Sequence, residues 1–214
     1  MKTDELVKML STNVEAIDRR QVSRTFACAG AFGAFVAVSA ALIMLGGRTD
    51  FGSVGALGFL IAKLSFAMAI VATAFFYLVR FARPGGGRRN STVLVLLPFV
   101  GIVGLASVSL AYAPAGHWQH TLLMGDEWLE CLLSIPIIAI VPFALVIWAV
   151  RQAAPTNLRR AGALAGLAAG GLSAVGYALH CNADSLPFVA VWYGGTIVLC
   201  TLAGAALGAR LLRW

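Results

Sequence analysis

Six long apolar runs, separated by short polar connectors, dominate this chain. Each run is close to the ~20 residues that an α-helix needs to cross ~30 Å of hydrocarbon. The pattern therefore predicts an all-α polytopic membrane protein, built as a bundle of six transmembrane helices. The predicted runs are Phe26–Leu45, Ala56–Val79, Thr92–Tyr112, Leu132–Val150, Gly162–Leu179 and Phe188–Ala209.

Positive charge falls on alternate sides of these runs. Of the 16 Lys and Arg, all but Arg48 and Lys63 lie before the first run, in the 80–91 and 151–160 connectors, or after the last run. Short cytoplasmic connectors of membrane proteins are enriched in Lys and Arg. We therefore expect both termini to be cytoplasmic. The chain divides into a cytoplasmic arm (1–24), a membrane domain (25–210) and a short cytoplasmic tail (211–214).

The composition leaves little material for a soluble domain, because 60% of the residues are hydrophobic and only 12% are charged. The lipid bilayer is the first expected partner. The net charge of +7 follows from the orientation rule and from anionic lipids of the inner leaflet, so we expect no direct contact with nucleic acid.

Small residues recur at helical spacing in the last two runs. Gly162, Gly166 and Gly170 are four residues apart, as are Gly204 and Gly208, so each set lies on one helix face. Small faces allow helices to approach closely in lipid. They predict either packing within the bundle or a homodimer through the same faces.

Lys63 is the only charge well inside a run. It lies about one and a half turns from the outer end, so we expect its side chain to extend outward to the interface. The chain lacks the series of buried acids that ion-coupled transporters usually carry.

Reactive side chains gather at the outer ends of the fourth and fifth runs. Cys131 opens the fourth run and Cys181 closes the fifth, at equal distances from the connector between them, so an antiparallel hairpin would bring both thiols to one depth. His180 is adjacent, and His117 and His120 lie in the preceding outer loop. Thiolate and imidazole suit soft and borderline metals. The pattern favours either a metal- or redox-responsive site or a structural disulfide with inert neighbours.

The N-terminal arm has helical character with one apolar stripe. Leu6, Leu10, Val14 and Ile17 follow spacings of four, four and three. Three uses fit this pattern: binding to the membrane surface, packing on the inner loops, or docking into a groove on a partner protein. Charges of both signs on the polar face argue against the membrane surface, where such helices are usually basic.

The chain resembles the NrsF family of bacterial membrane anti-sigma factors along essentially its whole length. The features that carry this resemblance are the opening MKTDELVKML, the six spans with both ends inside, and the outward Cys131 and Cys181. The resemblance implies an inner-membrane protein whose arm, around Leu6 and Leu10, sequesters an extracytoplasmic-function sigma factor. It also implies that heavy-metal stress sensed at Cys131 and Cys181 causes release.

Two other classes remain for comparison. A small membrane transporter or metal-handling protein is the alternative function, in which the same cysteines capture a metal for passage. An enzyme would need clustered acid–base groups at recognisable spacing, and we do not expect one. We expect no obligatory cofactor; a divalent metal held transiently by Cys131, Cys181 and His180 is the one ligand that the pattern suggests.

Overall fold

A computed structural model describes residue 5 and residues 19–48, 54–81, 93–112, 127–153, 155 and 157–213. Within these residues the fold is all-α, with no strand. Among the described residues, six helices are long and apolar enough to cross a membrane, which agrees in number with the six predicted runs. They are α1 (Arg19–Met44), α2 (Val54–Phe81), α3 (Val93–Tyr112), α4 (Trp128–Gln152), α5 (Leu158–Ala178) and α6 (Leu186–Leu211).

The first helix extends beyond the predicted apolar run on its N-terminal side. Helix α1 is continuous from Arg19, so residues 19–24 of the predicted arm belong to the same helix as the first span. Residues 6–18 lie outside the described part of the chain. The arm is thus joined directly to the bundle, without a break at residue 24.

Helix α5 is the centre of the bundle and packs against α1, α2, α4 and α6. In its most apolar stretch 89% of the residues are buried, against 11–39% in the other five helices. Its sequence explains this position, because alanine and glycine occupy most of it and let four neighbours approach closely. Helix α3 lies at the periphery and packs against α2 and the start of α6.

The glycine faces predicted from the sequence form the contact between α5 and α6. A Cβ added at Gly162 would lie 2.3 Å from the backbone oxygen of Gly204, and one at Gly166 would lie 2.2 Å from that of Cys200. Such distances are impossible for real side chains, so only glycine permits this approach. Because the chain itself occupies both faces, they are not available for the predicted homodimer.

Helix α6 begins irregularly. Ser185 caps its first turn by accepting a hydrogen bond from the Phe188 amide at 3.2 Å, and a π-helical turn follows at Val189–Tyr193. A π turn holds one extra residue, which changes the direction of the side chains around it. Here it includes Tyr193, which is fully buried beside Tyr177 of α5.

Candidate thiol site

The structure brings Cys131 and Cys181 together at one end of the bundle. Cys131 lies in the first turn of α4, where its amide donates to Glu127. Cys181 follows α5, and its amide donates to Tyr177 at 3.0 Å. The two side chains belong to one core cluster and are close enough to interact electrostatically. Both side chains are completely buried.

The Lys63 side chain turns into this cluster. Its Nζ donates to the Cys181 carbonyl oxygen at 3.0 Å and lies 3.7 Å from the Cys181 Sγ. The residue has no exposed surface, so the prediction that it extends outward to the interface is wrong. The outward extension fails because the ammonium finds acceptors inside the bundle, on the segment that follows α5. A buried charge needs such partners.

Asp184 is the acid that balances the buried cations. The Arg48 guanidinium contacts both of its carboxylate oxygens, with Nη1 3.0 Å from Oδ1, and Lys63 Nζ lies 3.3 Å from the same Oδ1. Arg48 also donates from Nη1 to the Cys181 carbonyl at 3.3 Å. Bidentate, charge-assisted contacts of this kind are among the stronger hydrogen bonds in proteins. Together they hold residues 179–185, which carry Cys181, against α2 and the end of α1.

Charge and burial act in opposite directions on Cys181 and Asp184, two ionisable groups of this segment. Burial raises the pKa of the Cys181 thiol, and the positive charge of Lys63 only partly offsets this effect. Burial would also raise the pKa of Asp184, but hydrogen bonds from Arg48 and the charge of Lys63 outweigh it and hold that pKa below its usual value. Asp184 is therefore ionised, and the Cys181 thiol stays protonated at neutral pH.

Two tyrosines complete the cluster. Tyr177 and Tyr193 are fully buried, with ring centroids 5.8 Å apart. Neither hydroxyl makes a well-formed hydrogen bond with the described residues, and the Tyr193 hydroxyl lies near the Cys181 thiol. Polar groups buried in this way are uncommon in proteins. They make the surroundings of the thiols more polar than the apolar runs suggested.

A second set of contacts closes the outer side of the same segment. His180 Nδ1 lies 3.2 Å from the Gly46 carbonyl oxygen, and its Nε2 lies 3.6 Å from Glu130 Oε2. The Asn182 amide donates to Glu127 Oε2 at 3.1 Å. These contacts connect the segment to α4 and to the end of α1.

No group of three or more His, Cys, Asp or Glu side chains within the described ranges is arranged to hold a metal ion. A metal role for Cys131, Cys181 and His180 therefore stays a prediction. The residues His117 and His120 lie outside the described part of the chain, as do the four arm positions Leu6, Leu10, Val14 and Ile17.

Sequence reasoning missed Lys63, Arg48 and Asp184 as partners of the thiol pair. One signal was available: Arg48 and Lys63 are the two cations that break the charge asymmetry, and both are now seen to contact Asp184. Cations within or beside a span pair with acids or with backbone carbonyls, so nearby acids such as Asp184 were candidate partners.

Comparison with known proteins gives one consistent result. The family model described as negative regulator of sigma F matches residues 10–214. A probable anti-sigma-F factor NrsF from Azospira oryzae is 32% identical, and the anti-sigma-F factor NrsF from Caulobacter vibrioides is 29% identical; each alignment covers 100% of both chains. No solved structure matches the chain.

Proposed function

Because this chain belongs to the NrsF family of negative regulators of sigma F, we propose that it is an inner-membrane anti-sigma factor with both termini in the cytoplasm. Its N-terminal arm binds an extracytoplasmic-function sigma factor and keeps it from RNA polymerase. The thiol pair Cys131 and Cys181 senses heavy-metal or redox stress and causes release. Family membership over the full length is the observation that carries this proposal, and it favours a regulator over a transporter or an enzyme.

The membrane placement is supported by six helices of spanning length and by the distribution of charge. The exposed surface of these helices is rich in large apolar side chains, including Phe35, Val100 and Ile43, which are 68–83% exposed. Side chains of this kind avoid water, and lipid contact satisfies them. Arginines at the inner ends orient the bundle.

The arm supplies the partner-binding surface through its apolar stripe. Burying one leucine stabilises a complex by ~1.5–3 kcal/mol, so losing Leu6 and Leu10 costs about 3–6 kcal/mol, or at least ~100-fold in affinity. We expect Leu6→Asp combined with Leu10→Asp to abolish co-purification of the sigma factor with membranes. A Ser11→Asp, Thr12→Asp variant adds the same charge off the stripe and is the matched control.

That experiment has a clear negative result. If the stripe variant still retains the sigma factor as well as the control does, the stripe is not the binding surface. Membrane fractionation of each variant shows whether the protein itself has been lost.

In this proposal the resting thiols are shielded, and a signal acts by moving the segment that carries Cys181. A metal bound to both thiols, or a disulfide between them, would replace the contact of Cys181 Sγ with Lys63 Nζ, which is 3.7 Å long, and in this proposal residues 179–185 shift as a result. That segment is the direct continuation of α5. Moving a bound-to-free ratio from 99:1 to 1:99 requires a preference of about 5.5 kcal/mol for one state, which two thiolate–metal bonds can supply.

The path to the arm runs through two helices in close contact. Helix α5 packs on α1 where Gly176 meets the backbone of Ala37; an added Cβ there would lie 2.6 Å from the Ala37 oxygen. A displacement of the outer end of α5 is therefore passed to α1. Helix α1 continues without interruption to Arg19, within the arm.

The test of the sensor is a sigma-dependent reporter exposed to cadmium or to a thiol oxidant. We expect Cys131→Ser and Cys181→Ser each to abolish induction while the uninduced state stays repressed. Cys28→Ser and Cys200→Ser are matched controls that should respond normally, because neither cysteine belongs to the proposed sensing pair. Cys28 is exposed, and Cys200 lies on the contact between α5 and α6. Normal induction in the Cys131→Ser, Cys181→Ser double variant would refute thiol sensing.

A further inference from the structure

The Tyr193 hydroxyl is a buried hydrogen-bond donor beside the thiol pair. The side chain has no exposed surface, and its hydroxyl makes no well-formed hydrogen bond with the described residues. A buried donor without an acceptor costs free energy, and such groups are rare in native proteins. The Cys181 sulfur lies near this hydroxyl, but as a protonated thiol it accepts hydrogen bonds only weakly.

The backbone of α6 and two neighbouring rings fix the position of this hydroxyl. Tyr193 is the last residue of the π-helical turn Val189–Tyr193, and turns of this kind are frequent at functional sites. Its ring centroid lies 5.8 Å from that of Tyr177 and 6.4 Å from that of Phe188. These rings restrict the directions in which the Tyr193 hydroxyl can point, so it stays beside Cys181.

Lys63 does not take over the role of a donor to this sulfur. Its Nζ lies 3.7 Å from Cys181 Sγ, but its shorter contacts go to oxygen atoms, at 3.0 Å to the Cys181 carbonyl and at 3.3 Å to Asp184 Oδ1. The ammonium therefore supplies positive charge near the sulfur, while its hydrogen bonds are directed to oxygen. Tyr193 is the neighbouring donor whose hydroxyl is available to the sulfur.

We propose that Tyr193 is a positioning residue of the thiol sensor, and that its hydroxyl donates a hydrogen bond to the Cys181 sulfur when a thiophilic divalent metal ion is bound there. Cys131 and Cys181 are soft ligands that suit such an ion. A thiol loses its proton when it binds a metal, and the resulting thiolate accepts stronger, charge-assisted hydrogen bonds. The inference rests on the proposed metal sensing by Cys131 and Cys181. It explains why a buried donor is kept without an acceptor in the resting state.

The hydrogen bond also gives the sulfur a new partner when the segment moves. A bound metal would replace the contact of Cys181 Sγ with Lys63 on α2. Tyr193 belongs to α6, so its hydroxyl holds the sulfur from a different helix. A disulfide would not use this donor in the same way, because its sulfur atoms are uncharged and accept only weakly.

A purely structural role for the hydroxyl predicts a different result of removing it. If the hydroxyl stabilised the resting fold, Tyr193→Phe would lower the melting temperature and the metal affinity together. A buried donor without an acceptor makes the resting fold less stable. Its removal should therefore leave the melting temperature unchanged or raise it, while the metal affinity falls.

The test is binding of cadmium to the purified full-length chain in a Cys28→Ser, Cys200→Ser background. Binding is followed by the ultraviolet charge-transfer absorption of cadmium–thiolate bonds. We expect Tyr193→Phe to weaken cadmium binding about tenfold, the usual effect of losing a hydrogen bond to a metal ligand. The absorption band should move to longer wavelength, because a hydrogen bond lowers the energy of the sulfur lone pairs. The melting temperature without cadmium should be unchanged or higher.

Two further variants serve as controls. Tyr77→Phe removes another buried tyrosine hydroxyl, about 21 Å from Lys63 along α2, and should leave the cadmium affinity and the absorption band unchanged. Cys131→Ser combined with Cys181→Ser should abolish the band, which shows that the signal comes from the thiol pair.

The results separate this inference from the proposed function on which it rests. Equal affinity and an equal band in Tyr193→Phe and its parent would overturn the role of Tyr193 alone. Weaker binding together with a lower melting temperature would also overturn it, because that result indicates a structural role. If the parent binds no cadmium, or if the double cysteine variant binds it equally well, metal sensing by the thiol pair fails as well.

Discussion

Replacing Asp184 with asparagine should expose the two buried thiols. The substitution keeps the size of the side chain and removes the negative charge that Arg48 and Lys63 share. Both cations are buried, with 5% and 0% of their surfaces exposed, so neither can be compensated by water in the closed state. In an opened state, in which residues 179–185 have moved away from α2, both cations can reach water. The substitution therefore favours the opened state.

The size of the effect follows from the burial of the partners. Removing one member of a buried ion pair costs about 3–5 kcal/mol, because an uncompensated charge is left behind. The Asp184 side chain is 22% exposed, so we take the lower end of this range. Since 1.4 kcal/mol is a factor of ten in an equilibrium constant, ~3 kcal/mol raises the population of the opened state about a hundredfold.

The assay is the rate at which N-ethylmaleimide labels Cys131 and Cys181, followed by peptide mass spectrometry in a Cys28→Ser, Cys200→Ser background. When opening is fast and rare, this rate is proportional to the population of the opened state. We expect Asp184→Asn to label about a hundredfold faster.

Two further variants show whether faster labelling comes from losing the contacts of Arg48 and Lys63 with Asp184, called the clamp here, or from a general loss of charge. Glu130→Gln removes an acid near the same segment, but one that is 57% exposed and, among the described residues, lies 3.6 Å from His180, so the labelling rate should hardly change. Adding Lys63→Met to Asp184→Asn removes one of the two cations that Asp184 balances and should restore part of the protection. An Asp184→Asn rate within twofold of the parent, or equal to that of Glu130→Gln, would refute the clamp.

Three other predictions concern charge, packing and topology. Because the pKa of Asp184 is lowered, the carboxylate contributes fully to stability above its ordinary pKa of 3.8, and this contribution is lost as pH falls further. The melting temperature should therefore drop for this reason only below about pH 4. Asp184→Asn should weaken this pH dependence of the melting temperature. Gly166→Ala should lower the free energy of unfolding by ~1–3 kcal/mol, whereas Gly101→Ala, where an added Cβ meets nothing within 4 Å, should be tolerated. Equal melting curves for the two variants would contradict the packing of α5 on α6. Reporter fusions at Trp214 and near Gly116 should give opposite signals, and equal signals would contradict the six-span topology.

The helices could be predicted from sequence because lipid-spanning segments carry a strong signal. The predicted run Thr92–Tyr112 and the observed Val93–Tyr112 differ by one residue, while α1 begins at Arg19 rather than near Phe26. The difference in α1 has a simple reason. Hydropathy marks where a helix leaves the apolar layer, whereas backbone hydrogen bonding continues through polar residues beyond it.

Side-chain direction was the part that the sequence did not reveal. The pairing of Cys131 with Cys181 followed from equal distances to a connector, which is a property of chain geometry. Burial of both thiols, and the inward turn of Lys63, depend on where Asp184 lies in three dimensions. The depth of a charge in a span can be counted along the chain, but the face on which it lies depends on how the helices are packed.

The position of α5 connects these findings. Its small residues make it the central helix, and the segment that follows it carries Cys181 and is held by Arg48 and Lys63. A helix with larger side chains would stand farther from α1 and would transmit a displacement less directly, since closely packed elements move together rather than deform. Tight packing at Gly176 and an ionic clamp at the end of the same helix are therefore complementary requirements. In the proposed mechanism, the packing at Gly176 would let α5 pass on a movement, and the ionic contacts would keep it still until the thiols react.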